Sequence, residues 1–194
     1  MTKIIGLTGG IGSGKTTIAK HIISLGIPVY IADDEAKKIL LLPETLESLK
    51  LVFGNAIFDN GNLNKDKLST IVFNNPEMLK QLNQIIHPAV KKDFDNWLKA
   101  NKNALLVVKE AAILFESGSY KDCDAIITIV APLNRRINRV LKRDNTNYEA
   151  VLSRINNQWT DEMRIEKSDY VIENKDIIKA CAQTEKILKK FLNQ

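Results

Sequence analysis

Gly9-Gly10-Ile11-Gly12-Ser13-Gly14-Lys15-Thr16 fits the pattern G-x-x-x-x-G-K-[ST]. The chemistry such a run can do is phosphate binding. Its glycines let backbone N–H groups turn inward around phosphate oxygens, Lys15 reaches the β- and γ-phosphates, and the Thr16 hydroxyl can ligate Mg²⁺. Gly10 to Thr17 are therefore expected to hold a nucleoside triphosphate, ATP with Mg²⁺. Lys15 is also a catalytic candidate and is expected to face solvent. A chance Lys-Thr after a glycine-rich turn would match the same string. Context argues against it: an apolar run precedes the glycines and a helical run follows, aiming its N-terminal dipole at the bound anion.

Carboxylates come next. Asp33-Asp34-Glu35 follows the second apolar run. In a doubly wound sheet the carboxyl ends of the strands share one edge, where ligands bind. Asp33 at such an end can accept a proton from an acceptor hydroxyl or hold Mg²⁺ through water. It can equally be a helix N-cap, and spacing alone does not choose. Asp34 and Glu35 read as first-turn charges that complement a helix dipole. Glu110, closing another apolar run, is placed for a second Mg²⁺-facing carboxylate. Glu116 reads as a substrate contact or, on its own, as a surface acid. His87-Pro88 reads as an acceptor contact or as a packed turn. Trp97 and Trp159 read as packing residues. Arg135, Arg136, Arg139, Lys142 and Arg143 form a basic cluster that suits a compact anion or a solvated helix face.

These residues need elements to position them. Residues 3–8, 28–31, 104–108, 125–130 and 170–172 read as short strands. Residues 16–25, 33–42, 46–53, 68–73, 78–98, 134–143, 146–157 and 176–192 read as helices, with a break expected near His87-Pro88. Residues 58–62 are turn chemistry. Strands alternating with helices predict an α/β fold, a parallel sheet with helices on both faces. The long helical stretch between the second and third strands reads as an insertion at the ligand edge.

Composition agrees. The 194 residues are 44% hydrophobic and 26% charged, with a net charge of +5, ordinary for one globular domain with a small insertion. No apolar run reaches the ~18–20 residues of a membrane span, and the first residues do not read as a secretory signal. Cys123 and Cys181 form no disulfide framework and read as reduced thiols in a cytoplasmic protein. The D-x-x-G and N-K-x-D strings of GTPases are missing. Aromatics are only 6%, and none falls within 135–143, which disfavours a nucleic-acid-binding reading. A small-molecule kinase, with an acceptor-holding insertion and a basic lid over the triphosphate, accounts for the pattern best.

At this point the residues resemble one family, the dephospho-coenzyme A kinases. Ile5 to Thr16 is similar to their opening. Ala32-Asp33 with Ala36 resembles their D-A-D-x-x-A segment, Ile86-His87-Pro88 their L-H-P, and Ile113-Leu114-Phe115-Glu116 their P-L-L-F-E. Arg139 and Arg143-Asp144 sit where the family lid has R-x-x-x-R-D, and Gln158, Arg164 and 169–174 (D-x-x-I-x-N) also fit. Four positions depart from the family: Ile31 for the first Asp of D-A-D, Ala112 for Pro, Glu110 for a frequent Asp, and Asp176 for a Gly near the adenine. The resemblance implies transfer of the γ-phosphoryl group of ATP to the 3′-hydroxyl of dephospho-coenzyme A. It implies Asp33 and Arg139 as catalytic, and Arg143 and Asn174 on the nucleotide. Thr8, Asp33, His87, Leu114, Phe115 and Glu116 would line the acceptor. Arg135 and Arg136 fall outside the lid string and are expected to matter less. It also implies a core of 1–42, 103–133 and 168–194, an acceptor region of 43–102 and a lid of 134–167. No nucleic acid or membrane partner is expected, and the chain is expected to be a monomer or weak homo-oligomer.

Overall fold

The computed structural model describes residues 2–73 and 75–193. In chain order it contains β1 (Lys3–Thr8), α1 (Lys15–Ser24), β2 (Val29–Ile31), α2 (Ala32–Ile39), α3 (Pro43–Phe53), β3 (Phe58–Asp59), β4 (Asn62–Leu63), α4 (Lys65–Phe73) and α5 (Pro76–Ala100). It continues with β5 (Leu106–Glu110), β6 (Ala125–Val130), α6 (Leu133–Asp144), α7 (Tyr148–Asn156), α8 (Asp161–Glu166), β7 (Tyr170–Glu173) and α9 (Ile177–Leu192). Ala32–Trp97 forms one compact unit and the flanking segments form the other.

The flanking unit is built on a five-stranded sheet in the order β2-β5-β1-β6-β7. Every pairing in it is parallel. Such strands are buried on both faces, which is why residues 104–108 and 125–130 read as near-continuous apolar runs. On one face Ile5, Leu7, Val108, Ile127, Ile129 and Ile172 pack against Ile18, Ala19 and Ile22 of α1 and Ala180 and Leu188 of α9. Each fully buried Leu or Ile contributes about 1.5–3 kcal/mol relative to exposure. On the other face the Thr128 hydroxyl meets Ser168 at 2.6 Å. The parallel arrangement sends the chain leaving β1, β5, β6 and β7 to a single edge of the sheet.

The Ala32–Trp97 unit has its own core of Leu49, Ile57 and Leu68, with Leu40, Leu46, Leu82 and Ile85 packed on it. Leu40, just past α2, joins that core. At its other end residue 102 goes with the sheet unit, where the Thr2 hydroxyl donates to the Lys102 carbonyl. The 58–62 turn is the tip of a β3–β4 hairpin. Asn60 and Gly61 both take positive φ, 50° and 82°, which suits a tight two-residue hairpin turn. The expected break at His87-Pro88 does not occur: α5 runs through Pro88 without interruption. Proline inside a helix removes one N–H donor and costs about 3 kcal/mol. The packing of Leu82 and Ile85 before it and of Phe94, only 1% exposed, after it offsets that cost.

Candidate active site

The glycine-rich segment links β1 to α1, so it lies at the carboxyl edge of the central strand. Gly12 and Gly14 are two of the positions where glycine is required. Their φ values are +78° and +101°, and an added Cβ would stand 2.5 Å from the Arg136 carbonyl oxygen and 2.2 Å from Asn174 Nδ2. Both the left-handed backbone and the close approach exclude a side chain. Behind this loop α1 begins with no side-chain cap and no acidic residue in its first turn. Its free N–H groups and positive dipole end are thus available to an anion.

The outward-facing groups of the loop are tied down by the rest of the unit. Arg136 Nε donates to the Ile11 carbonyl at 3.0 Å, and Ile11 N–H donates to Gln158 Oε1 at 2.9 Å. Arg139 Nη1 donates to the carbonyls of Gly12 and Ser13 at 3.2 and 3.3 Å. Asn174 Nδ2 donates to the Ser13 carbonyl at 2.7 Å. Ser13 Oγ, by contrast, is buried with no hydrogen-bond partner.

Several expected site residues take up different places. Lys15 is 7% exposed and does not face solvent. It is the first residue of α1. Thr16 and Thr17 are exposed beside it. Among the described residues no group of three or more His, Cys, Asp or Glu side chains could hold a metal ion. A cation here would take the Thr16 hydroxyl and otherwise phosphate oxygens and water, which is the usual coordination of Mg²⁺. Glu110 closes β5 at 2% exposure, in register with Leu7 of β1 and Ile31 of β2. The Thr8 hydroxyl is fully buried and donates to the Ala111 carbonyl at 2.8 Å, so it joins two strand ends.

Asp33 is not an N-cap. Ala32 is already helical, and Asp33 lies inside the first turn of α2. Asp34 pairs with Lys37 and Glu35 with Lys38, both at 2.7 Å. Exposed Asp33 has no hydrogen-bond or ion-pair partner among the described residues. In the same unit half-buried His87 sits on a shallow groove of about 450 Å³ along α5, with Lys80, Asn83 and Gln84. Burial holds its pKa below the usual histidine value, so the imidazole is neutral at pH 7.

Leu114 and Phe115 are 0% and 3% exposed. They pack rather than line an open surface: the Phe115 ring stacks on Trp159 at 5.4 Å and 4°. Glu116 is not a surface acid. Its Oε1 accepts from the Trp159 N–H at 2.9 Å and from Arg164 Nη2 at 3.1 Å. Arg164 is fully buried, and its Nη1 also donates to the Trp159 carbonyl. Burial pushes the Arg164 guanidinium down, and the charges of Glu116 and Asp161 pull it back up. Removing one partner of a buried pair costs about 3–5 kcal/mol, because the other charge stays buried. Glu116→Ala is therefore expected to lower the melting temperature by roughly 6–20 °C, which calorimetry measures. Unchanged melting would show that the pair does not hold the segment.

The basic cluster is not uniform. Arg136 is 5% exposed and Arg139 half-buried. Arg143 is exposed and pairs with Asp144 at 2.6 Å; Asp144 also takes Arg154 at 2.7 Å. The solvated-face reading thus holds for Arg143 but not for Arg136, which composition gave no reason to separate. Asn174, 1% exposed, uses its amide N–H on the loop while its Oδ1 is buried with no hydrogen-bond partner. Asp176, at the departing glycine position, caps α9 by accepting from Lys179 N–H at 3.0 Å. Neither thiol is a nucleophile in waiting: burial pushes the Cys123 pKa up to about 12 and raises that of Cys181.

Comparison with known proteins follows the same lines. A family model described as dephospho-CoA kinase matches residues 3–180. The chain is 44% identical over 172 residues to a dephospho-CoA kinase of Fusobacterium nucleatum, covering 88% of this chain and 89% of that one. Among solved structures, TT1252 from Thermus thermophilus superimposes with a TM-score of 0.89 at 33% identity, covering 97% of both chains. The dephospho-CoA kinase from Campylobacter jejuni gives 0.72 at 26% identity, covering 98% of both.

Proposed function

The chain belongs to the dephospho-CoA kinase family, and from that premise we propose how its own residues carry out the reaction. The reaction is ATP-dependent phosphorylation of dephospho-CoA, a step of coenzyme A biosynthesis. The acceptor atom is the ribose 3′-hydroxyl oxygen. It bonds to the γ-phosphorus as the bond from that phosphorus to the β,γ-bridging oxygen breaks, and ADP leaves. The observation that carries the reading is the loop between β1 and α1, whose outward groups are fixed by Arg136, Arg139, Gln158 and Asn174 while the α1 N-terminus is left uncapped.

Fixing the carbonyls outward leaves N–H groups to receive phosphate oxygens without reorganisation, the kind of preorganised stabilisation that contributes most to phosphoryl transfer. Lys15 offsets charge on the β- and γ-phosphates. Arg139 steadies the loop at rest and has further N–H donors for a phosphate oxygen. Asp33 accepts the proton of the 3′-hydroxyl; its exposure and lack of a partner support that role. Neutral His87 contributes a hydrogen bond to the acceptor. The Thr16 hydroxyl would hold Mg²⁺, which would supply further charge neutralisation when bound with ATP. Arg143 is free to leave Asp144 for the triphosphate, since an exposed pair is worth only about 0–1 kcal/mol.

Among the described residues no helix is long and apolar enough to cross a membrane. A cytoplasmic enzyme with two reduced thiols, acting as a monomer or weak homo-oligomer without nucleic acid, is the setting we infer. The test is an acceptor screen with ATP and Mg²⁺. Dephospho-CoA is expected to be phosphorylated far faster than adenosine, AMP or shikimate. Better turnover of another acceptor would overturn the acceptor assignment and leave the kinase chemistry in place.

A further inference from the structure

Arg136 lies outside the string that resembles a family lid, yet it is the most buried arginine on α6 and the one most closely fitted to the phosphate loop. Its Nε donates to the Ile11 carbonyl. Its guanidinium lies over Gly10 so closely that a Cβ there would stand 2.1 Å from Nη2. On the far side Nη1 meets Asp161 Oδ2 at 3.0 Å. Asp161 in turn lies 3.6 Å from Arg164 Nη1, and Arg164 is held by Glu116. Ile11 is therefore gripped at its carbonyl by Arg136 and at its N–H by Gln158, while its side chain packs with Ile137, Val140 and Val151.

We propose that Arg136, aligned by Asp161, is a positioning residue for phosphoryl transfer: it fixes the Ile11 peptide and thereby presets the loop for the triphosphate. The inference rests on the kinase reading but makes no use of the acceptor. A buried guanidinium needs a counter-ion and a geometry that serves both neighbours. Arginine's planar fork meets the carbonyl and the carboxylate together, whereas the compact ammonium of lysine serves one at a time. Asp161 has its carboxylate committed to two arginines, so any effect of Asp161 on nucleotide binding must pass through them.

The test measures ADP and ATP affinity by calorimetry, with steady-state kinetics and melting temperature alongside. The proteins are wild type, Arg136→Lys, Arg136→Gln, Asp161→Asn and the double variant Arg136→Gln/Asp161→Asn. Arg136→Lys keeps a cation beside Asp161 and is expected to fold. It should bind nucleotide about 10- to 100-fold more weakly, the scale of one lost charged hydrogen bond, and raise KM for ATP while leaving KM for dephospho-CoA within twofold. Asp161→Asn should shift nucleotide affinity in the same direction by less. The double variant should bind no more weakly than Arg136→Gln, because the two act as one unit.

Nucleotide affinity within twofold of wild type in folded Arg136→Lys would overturn the proposal, as would additive losses in the double variant. If Arg136→Gln fails to fold, Arg136→Lys and Asp161→Asn decide, and unchanged affinity in both overturns it. A wild type that binds ATP but transfers nothing to dephospho-CoA would defeat the function assignment alone, since the calorimetric comparison would still stand.

Discussion

Lys15→Ala lowers kcat by about 10²–10³-fold, the usual loss when one preorganised charge-stabilising group is removed. The ammonium sits at the start of α1, behind a loop whose carbonyls already point away, so no other residue of the loop offers a positive charge. A loop lysine exposed to solvent would leave stability untouched, but this one is 7% exposed. Alanine also removes a buried stem and lowers the melting temperature. Lys15→Met keeps most of that stem, so it should melt close to wild type and still lose turnover. Rapid-quench measurement of the transfer step on both variants checks this. Near-normal transfer by folded Lys15→Met would mean the loop does not serve the transferred phosphate.

Asp33→Asn is expected to cut kcat by about 10²–10⁴-fold, the range for loss of general-base assistance. The side chain is exposed in the first turn of α2, so the melting temperature should move by only a few degrees at most. Loss of one first-turn carboxylate costs about 0.3–1 kcal/mol through the helix dipole, too little to mimic the kinetic effect. Binding of ATP separates the two modes of action. Unchanged affinity assigns Asp33 to the acceptor; weakening only with Mg²⁺ present assigns it to the metal. Full turnover would reduce Asp33 to a dipole-complementing charge and turn attention to Glu110.

The sheet and the phosphate loop were legible because each is written locally. A run such as Ala125–Val130, set among alternating helical stretches, reads as a strand of a parallel sheet covered on both faces, and the spacing of Gly9, Gly14 and Lys15 has few other uses. The surroundings of the loop were not legible, because they depend on pairs far apart in the chain. Arg136 and Arg139 are alike in sequence. Only the fold places Asp161 and Ile11 on either side of the first and the Gly12 and Ser13 carbonyls beside the second. The same holds for Leu114 and Phe115, which a motif marks as functional and packing explains: Phe115 fills the space beside Trp159. Pro88 misled for the opposite reason. A local rule predicts a break, and the packing of neighbouring turns overrides it. Within the stretch 134–167, Arg136 and Gln158 are hydrogen-bonded to Ile11 and Arg164 to Glu116, ties between residues too far apart in the chain to read from sequence.

The two tryptophans make the molecule optically addressable. Each compact unit carries one: Trp97 stacks on Phe94 at 6.0 Å in the helical unit, and Trp159 stacks on Phe115 in the sheet unit. Trp159 is also fastened through its backbone to Glu116 and Arg164, next to the Gln158 that holds Ile11. With Trp97 replaced by phenylalanine, emission from the remaining indole becomes a built-in gauge of that mooring. Its shift on adding nucleotide can be followed in real time without a dye, and its shift on heating reads the melting of one unit separately from the other.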